Sequence, residues 1–271
     1  MMIWFLYPII FIFGLGIGSF LNCVIYRLEK EKSFLKGRSY CPYCKQVLKW
    51  QDLIPVLSFL ILKGKCRYCQ KRISFQYPLV EIATGLLFLL IFYQIYDGLT
   101  VFIALQFLWL FVISCFLIII FVSDLKHFII PDKIVYPLIV ITFLYALFKI
   151  LVISHWSLEF EVLKLLIYPI LSAIFASGFF LIIVLVSRGR GMGIGDIKLA
   201  FFMGLFLSFP NILVSLFFAF VIGAIIGIGL ILMKKKTLKS EVPFGPFLII
   251  GTFIAFFWGQ ALFNWYFNLI T

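Results

Sequence analysis

The chain contains eight apolar runs, most of them long enough to cross a bilayer as a helix, which needs about 20 apolar residues. Hydrophobic residues make up 64% of the 271 residues and charged residues only 13%, and a soluble domain of this size cannot bury that much apolar surface. The runs are solidly apolar rather than alternating, which argues against a β-barrel. The sequence therefore excludes a soluble globular protein, a disordered chain and a secreted disulfide scaffold. It predicts an all-α polytopic membrane protein with about eight transmembrane helices.

The predicted helices cover residues 3–25, 78–96, 100–122, 134–153, 165–187, 197–209, 212–233 and 245–267. The sixth contains only about thirteen residues. It is either a short helix packed inside the bundle or one end of a broken helix. The first run has no small-residue cleavage site, so we interpret it as a membrane helix rather than a removed signal peptide.

Positive charge is concentrated between the first two predicted helices. Twelve of the 23 Lys and Arg residues lie between Arg27 and Arg72, where only three acidic residues oppose them. Basic segments beside a membrane helix remain in the cytoplasm, and anionic lipid headgroups attract them. We therefore interpret the net charge of +12 as a signal of topology and of contact with anionic lipid. Nucleic acid is not an expected partner.

The remaining charges support this orientation. With the basic segment in the cytoplasm, the N-terminus lies outside and the later connections alternate between the two sides. Twenty-one of the 23 basic residues then fall on the cytoplasmic side, and the outside connections hold only Lys149 and Lys164. The sequence predicts eight helices with both termini outside, since seven crossings would break this pattern.

Four of the six cysteines form two Cys-x-x-Cys pairs in the basic segment, Cys41 with Cys44 and Cys66 with Cys69. Two such pairs supply the four thiolates of a structural Zn²⁺ site, although the 21 residues between them slightly exceed the commonest spacing. Disulfides are the alternative, which a reducing cytoplasm disfavours, and a single redox pair leaves the second copy unexplained. The Lys-rich segment has too few apolar residues for its own core, so the predicted zinc is structural. The remaining two, Cys23 and Cys115, are expected to be packing residues.

Two carboxylates near predicted helices stand out, because ionisable residues at membrane depth are costly and therefore functional candidates. Asp124 ends the third predicted helix, and Asp196 begins the sixth. The predicted topology places both at the cytoplasmic edge, where they can meet on one face of the bundle. We therefore expect them to form a catalytic pair.

Three further charged residues lie near this edge. Asp132 begins the fourth predicted helix, a position typical of an N-cap, and Lys198 is expected only to support the site. Glu81 either lines the site, pairs with Arg27 or Lys198, or is an interfacial carboxylate.

The chemistry that two such aspartates support is that of an aspartyl protease. Two facing carboxylates cannot both ionise easily and share one proton. The ionised member takes a proton from water while the neutral member polarises a carbonyl. Glycines alternate from Gly189 through Gly191 and Gly193 to Gly195 just before Asp196, which allows a peptide backbone to approach. They do not indicate a nucleotide loop, since no strand precedes them and no Lys-Ser or Lys-Thr follows.

Several motifs occur in a characteristic order along the chain. They are GSFLNCVIYRL at 18–28, the cysteine-containing segment 40–85, Asp124 ahead of Ile-Pro-Asp at 130–132, Gly-Ile-Gly-Asp at 193–196, and Pro-Phe-Gly-Pro-Phe at 243–247. This set resembles the bacterial type IV prepilin leader peptidases, GxGD aspartyl proteases of the inner membrane. The resemblance covers essentially the whole chain.

The resemblance implies two activities. The first is removal of the basic leader from prepilins and pseudopilins, after a Gly and before a Phe or similar residue, with Asp124 and Asp196 as the catalytic residues. The second is transfer of a methyl group from S-adenosylmethionine to the new N-terminal amine. The resemblance associates methylation with the cytoplasmic part, and the retained cysteines favour both activities. No glycine-rich signature identifies the contacts of the methyl donor.

The expected organisation is a first transmembrane helix at 1–26, a small cytoplasmic tetracysteine domain at 27–77, and a seven-helix membrane peptidase domain at 78–271. Two alternative functions remain. An intramembrane protease of the signal-peptide-peptidase kind also carries GxGD, but its first aspartate normally lies in a Tyr-Asp pair deep in a helix. A proton-coupled transporter would predict inverted repeats, and no convincing internal repeat is found.

Overall fold

The computed structural model describes residues 2–31, 37–96, 100–153, 160–189, 192–234 and 242–270. Within these ranges the fold contains nine α-helices and two short 3₁₀ turns, at Met2–Phe5 and Trp50–Leu53. The helices are α1 (Leu6–Glu29), α2 (Leu57–Ile61), α3 (Gln76–Ile95), α4 (Val101–His127), α5 (Asp132–Ile153), α6 (Phe160–Val186), α7 (Ile194–Leu207), α8 (Asn211–Leu232) and α9 (Gly245–Ile270). The predicted all-α class is confirmed.

Seven helices in the described part of the chain are long and apolar enough to cross a membrane: α1, α3, α4, α5, α6, α8 and α9. The remaining long run forms α7, which has only 14 residues. At about 1.5 Å per residue it is about 21 Å long, less than the ~30 Å hydrocarbon core. Its residues Leu199, Ala200, Phe202 and Met203 are fully buried. The sixth predicted run is therefore a short helix packed inside the protein.

The chain forms two compact units, Met1–Ile119 and Ile120–Thr271. In the N-terminal unit, α1 packs along α3. A Cβ on Gly14 would lie 2.7 Å from Cα of Gly85, and a Cβ on Gly18 would lie 2.6 Å from Cα of Glu81. Small residues of this kind let two membrane helices approach backbone to backbone, so this face of α1 is committed to α3.

In the C-terminal unit, α7 packs against α6 and also contacts α5, α8 and α9. A Cβ on Gly204 would lie 2.4 Å from Cα of Ala173, so α7 and α6 touch through their backbones. The α8–α9 pair makes a similar contact, where a Cβ on Gly251 would lie 2.4 Å from the carbonyl oxygen of Ser215. Because α7 lies at the centre of these contacts, the position of its first turn is fixed by packing.

Candidate functional sites

The four cysteines of the basic segment form one cluster. Their sulfur atoms all lie within 4.8 Å of one another, and the Sγ atoms of Cys41 and Cys69 are 3.8 Å apart. A tetrahedron with zinc–sulfur distances of about 2.3 Å has edges of about 3.8 Å. Cys41 and Cys66 are buried, whereas Cys44 is exposed. The cluster therefore has the donors and the spacing to hold one metal ion.

Each cysteine pair lies in a turn of the same design. Cys41 and Cys66 each accept a hydrogen bond from the residue four positions later, with N–O distances of 2.9 and 3.0 Å, and each donates to the residue five positions later, at 3.0 and 2.9 Å. Antiparallel bridges, Tyr40 with Val47 and Lys65 with Arg72, close the two turns. The two turns are thus copies of one structural unit, offset by 25 residues along the chain. The sequence did not reveal this repeat, because the two copies share little beyond Cys-x-Tyr-Cys.

The backbone of the first turn favours the thiolate that a metal requires. Burial raises the pKa of the Cys41 thiol, but hydrogen bonds from the backbone of Cys44 and Tyr43 outweigh it and lower the pKa to about 7. A thiolate is the form that binds metal. The hydrogen bonds of this turn therefore favour the deprotonated form of Cys41.

Asp52 connects the Trp50–Leu53 turn to the second cysteine turn, a role that the sequence did not reveal. Its carboxylate accepts a hydrogen bond from the backbone N–H of Lys49 at 3.1 Å and one from Nε of Arg67 at 2.7 Å. Although burial opposes it, these partners hold the pKa of Asp52 below its usual value. Arg67 lies between Cys66 and Cys69, so Asp52 ties the Trp50–Leu53 turn to the second cysteine pair.

In the C-terminal unit, Asp124 lies near the end of α4 and is only 5% exposed. Its Oδ2 accepts a hydrogen bond of 3.0 Å from the backbone N–H of Gly245, the first residue of α9. A Cβ on Gly245 would lie 2.6 Å from this oxygen, so the approach requires glycine. The positive end of the α9 helix dipole also favours a negative charge here.

Asp196 lies in the first turn of α7, outside the seven membrane-spanning helices, and is 8% exposed. Its Oδ2 accepts a hydrogen bond of 3.0 Å from the backbone N–H of Gly193. Burial raises the pKa of Asp196 to about 6; the Gly193 hydrogen bond opposes this rise, and the nearby charge of Asp124 reinforces it. The two aspartates are therefore close enough to influence each other's ionisation.

Ile130 separates the backbones that hold the two carboxylates. A Cβ on Gly195 would lie 2.9 Å from Cβ of Ile130, and one on Gly245 would lie 3.4 Å from Cδ1 of the same side chain. The buried Ile130 thus packs on the glycines of both the Gly-Ile-Gly-Asp and the Pro-Phe-Gly-Pro-Phe motifs. Three motifs that are far apart in the sequence meet at one place, and the glycines are needed for this contact.

Charged residues near the two aspartates have partners that the sequence alone did not identify. Nζ of Lys198 lies 2.6 Å from Oδ1 of Asp132 and 5.0 Å from the centre of the Tyr136 ring. The Asp132 carboxylate thus joins the first residue of α5 to α7 in addition to any capping role. Lys198 therefore has Asp132 as its partner.

Glu81 belongs to the N-terminal unit, where it is 7% exposed. Its carboxylate accepts hydrogen bonds from the backbone N–H of Val56, at 2.7 Å, and from the hydroxyl of Ser19. Glu81 is thus an internal residue that anchors the polar segment to α1 and α3. Gly191, one of the alternating glycines, lies outside the described residues.

Two family models match the chain. The Bacterial Peptidase A24 N-terminal domain matches residues 12–95, and the Type IV leader peptidase family matches residues 111–228. The first match contains the cysteine cluster, and the second contains Asp124 and Asp196.

Curated relatives match nearly the full chain. A prepilin leader peptidase/N-methyltransferase of Bacillus subtilis is 33% identical over 96% of this chain and 98% of its own length. Proteins of the same name from Legionella pneumophila and Aeromonas salmonicida are 32% and 31% identical, covering 97% and 98% of this chain and 95% and 96% of their own lengths. No solved structure matches the chain.

Proposed function

The chain belongs to the type IV leader peptidase family, and on this premise we propose that Asp124 and Asp196 are the catalytic pair of a prepilin-processing aspartyl endopeptidase. The family matches support an enzyme that both processes and methylates prepilin-type substrates. Among the predicted alternatives, neither a signal-peptide-peptidase-like protease nor a proton-coupled transporter accounts for relatives that match nearly end to end.

One observation carries the assignment of the pair: each carboxylate is held by a backbone N–H through one oxygen only. Gly245 holds Oδ2 of Asp124, and Gly193 holds Oδ2 of Asp196. Within the described residues, neither Oδ1 atom receives a hydrogen bond. The arrangement thus fixes both side chains and leaves one oxygen of each for water and for the peptide carbonyl.

The proposed mechanism follows from this geometry. At a pH where the pair holds one proton, the ionised carboxylate removes a proton from water, which attacks the scissile carbonyl. The protonated carboxylate donates a hydrogen bond to the carbonyl oxygen, where negative charge develops. The two helix N-termini stabilise the carboxylate charge throughout. No covalent intermediate is needed.

We place this pair at the cytoplasmic face of the bacterial inner membrane. With both termini outside, the short helix α7 has to carry the chain back across the membrane as the eighth crossing, in addition to the seven longer helices. The distribution of Lys and Arg supports the orientation, and α4 ends where α7 and α9 begin. A substrate with a basic cytoplasmic leader followed by an apolar helix has its cleavage site at this boundary. The proposed substrates are therefore prepilins and pseudopilins.

We assign a structural Zn²⁺ to Cys41, Cys44, Cys66 and Cys69. The sulfur spacing fits the ion, and four thiolates form a closed structural set with no open position for chemistry. The ion would join the two duplicated turns of a segment with little apolar core, so its binding energy would contribute to folding.

We also assign a methylation step to the chain. S-adenosylmethionine supplies the methyl group for the N-terminal amine that cleavage releases; the amine loses a proton and S-adenosylhomocysteine remains. The proposed division into a first helix at 1–26, a tetracysteine domain at 27–77 and a membrane domain at 78–271 separates this step from peptide cleavage.

Anionic lipid is the second proposed partner, in contact with the basic polar segment. Besides its Lys and Arg residues, this segment exposes Trp50 and, in α2, Leu60 and Ile61. Apolar side chains beside basic ones are typical of segments that lie at a membrane surface. Nucleic acid is not proposed as a partner.

The test uses the purified full-length enzyme and a purified prepilin in lipid nanodiscs. The product's N-terminus is read by mass spectrometry, with and without S-adenosylmethionine. We expect a cut at the leader boundary without the donor and a mass increase of one methyl group with it. An intact prepilin, or a cut inside its apolar helix, would contradict the assignment.

A further inference from the structure

A run of ten residues without a charge, 53–62, interrupts the basic segment between α1 and α3. It reads LIPVLSFLIL, and Lys49, Lys63 and Lys65 lie near its two ends. An apolar run of about ten residues is too short to cross a bilayer and is typical of a core helix or of a segment at the membrane interface. None of the ten residues is buried by the described part of the chain. The run is therefore not part of a protein core.

The outward face of α2, which lies within this run, is apolar. Leu57, Leu60 and Ile61 are three and four positions apart, which places them on one side of the helix, and each is more than half exposed. Phe59 points the other way, and its ring centre lies 5.3 Å from that of Phe75, the residue before α3. One side of α2 is thus attached to the start of α3, and the other presents three large apolar side chains.

A hydrogen bond to Glu81 fixes the depth at which the run lies. The backbone N–H of Val56 donates to the Glu81 carboxylate at 2.7 Å, and Glu81 lies five residues, or about 7.5 Å, inside α3. Gly18 of α1 lies at the same level, since its added Cβ would be 2.6 Å from Cα of Glu81. This level is about 16 Å before the end of α1 at Glu29. The chain therefore leaves α1 and returns along two helices that are long and apolar enough to cross a membrane.

The backbone of the run is suited to apolar surroundings, where an unpaired N–H group is costly. Val56 has a φ of +60° and a ψ of −49°, the values of a γ-turn that is rare and strained. The N–H of Leu57 closes this turn on the carbonyl oxygen of Pro55, and Glu81 accepts the hydrogen bond from Val56. Further N–H groups donate to carbonyl oxygens within the run, at Ser58, Leu60 and Leu62. Glu81 thus pairs the N–H of a strained turn.

We propose that residues 53–62 enter the cytoplasmic leaflet and lie among the lipid acyl chains just below the headgroups. The inference deepens the lipid contact proposed above and rests on it. That contact is electrostatic and involves Lys and Arg, whereas this one is apolar and does not require an anionic headgroup. The insertion holds the cysteine turns at the membrane surface, where cleavage of a prepilin would release the new N-terminal amine.

The charges around the run favour the bilayer over a protein partner. Lysines at the ends of an apolar segment extend their charged groups to the headgroups, and Trp50, which is exposed, is suited to the interface. In a two-fold contact with a second copy, the same face would meet itself, so the flanking lysines would repel one another. They would also repel the basic leader of a prepilin.

The first test labels the wild-type chain, so it does not depend on how a variant folds. One chain per phosphatidylcholine nanodisc, without prepilin, is irradiated with a phosphatidylcholine that carries a diazirine in one acyl chain. Peptide mass spectrometry should find residues 53–62 labelled at least tenfold more than residues 39–48, which form the first cysteine turn. Equal labelling of the two peptides would overturn the proposal, because neither a second copy nor a substrate is present to cover the run.

The second test separates the insertion from the electrostatic contact. Acyl-chain labelling of residues 53–62 should agree within twofold between phosphatidylcholine and phosphatidylglycerol nanodiscs. A phosphatidylglycerol with its diazirine in the headgroup reports separately on the basic residues. If it labels them while the acyl-chain probe misses 53–62, the insertion is wrong and the anionic-lipid contact stands. If neither probe labels the segment, both proposals fail.

The third test removes two side chains from the outward face of α2. Leu60→Gln combined with Ile61→Gln should lower acyl-chain labelling of residues 53–62 at least fivefold, because less apolar surface gains from leaving water. Val47→Gln is the matched control, since it removes an exposed apolar side chain from the first cysteine turn; labelling should be unchanged. Wild-type labelling in the double variant would show that this face of α2 does not lie in lipid and would overturn the proposal.

Discussion

The cysteine cluster and the aspartate pair are positioned by opposite means. The cysteines lie in two turns that are closed by backbone hydrogen bonds. Asp52 braces the second turn through Arg67. The aspartates lie at helix ends that are fixed by glycine contacts in a buried core. Packing alone can thus position the two aspartates, whereas the proposed zinc would complete the cysteine segment. This difference predicts which changes impair cleavage and which impair methylation.

The largest effect is expected from removing one ionisable group of the pair. Asp124→Asn or Asp196→Asn should lower the rate of prepilin cleavage by at least ~10³-fold, as when one member of a coupled catalytic set is lost. Methylation of a previously cleaved pilin should continue. Asp132→Asn is the control, because its more exposed carboxylate pairs with Lys198 and not with either member of the proposed pair; it should lower cleavage less than tenfold. Near-normal cleavage by either member's Asn variant would disprove the assignment.

The stability of Asp196→Asn distinguishes lost chemistry from lost folding. The pKa of Asp196 is raised to about 6 in the folded state, whereas an Asp in the unfolded chain has a pKa of about 3.9. Between these two pH values the folded state keeps a proton that the unfolded state has released. The wild-type free energy of unfolding therefore falls as pH rises from about 4 to 6. At pH 7.5 the Asn variant, which avoids this cost, should melt at the same or a higher temperature than wild type. A lower melting temperature would indicate a structural role instead.

A smaller effect is expected from adding one methyl group at the glycine that holds Asp124. In Gly245→Ala the new Cβ would lie 2.6 Å from Oδ2 of Asp124, so the carboxylate or α9 must shift. Overpacking of this kind costs about 1–3 kcal/mol, and we expect cleavage to fall about 10- to 100-fold. Gly178→Ala is the matched control, since its Cβ would meet nothing within 4 Å. Equal cleavage by the two variants would contradict the proposed support of Asp124.

The helices, the two cysteine pairs and the two aspartates could be predicted from the sequence, because each produces a local pattern of residues. The apolar run at 78–96 corresponds to α3 at Gln76–Ile95, and the Cys-x-x-Cys spacing indicated the cluster. The length of α7 was also predicted, from the short run at 197–209.

The hydrogen bonds and ion pairs that hold these residues could not be predicted, since they join residues that are distant in the sequence. The hydrogen bond from Gly245 to Asp124 spans 121 positions, and Lys198 reaches Asp132 across 66. Asp52 was counted only as one acidic residue in a basic segment. Such pairs depend on how the helices and turns pack, which composition and spacing do not encode.

Removing the proposed zinc site tests the difference between the cysteine cluster and the aspartate pair more directly. Changing Cys66 and Cys69 to Ser removes two of the four ligands, so elemental analysis should fall from about one zinc per chain to near zero. Loss of the metal should disorder the segment and weaken methylation several times more than cleavage. The readout is the ratio of methylated to free N-termini among cleaved pilins. A parallel fall of both products would mean that the segment serves cleavage equally, and a metal-free wild type with disulfides would refute the zinc site.

The smallest effect is expected at Asp52, where only the link between the Trp50–Leu53 turn and the second cysteine turn is weakened. Asp52→Asn keeps the shape and an acceptor for the Lys49 N–H but loses the charge that faces Arg67. Because Arg67 is half-exposed, with 45% of its side-chain surface accessible, water screens the pair. We therefore expect zinc to remain at wild-type stoichiometry and to transfer to a chelator only about two to five times faster.

The pH dependence and a substitution at Arg67 show whether the faster zinc transfer of Asp52→Asn comes from the Asp52–Arg67 ion pair. The pKa of Asp52 is lowered in the folded chain, so its contribution is present above about 3.9, the ordinary pKa, and is lost as pH falls through the lower folded value. At pH 7 the faster zinc transfer should therefore be fully expressed. Arg67→Gln should accelerate transfer by a similar factor, and the double variant should be no faster than either single one, since both remove the same interaction. Additive effects would show that Asp52 stabilises the segment through partners other than Arg67. The proposed link between the Trp50–Leu53 turn and the second cysteine turn would then be wrong.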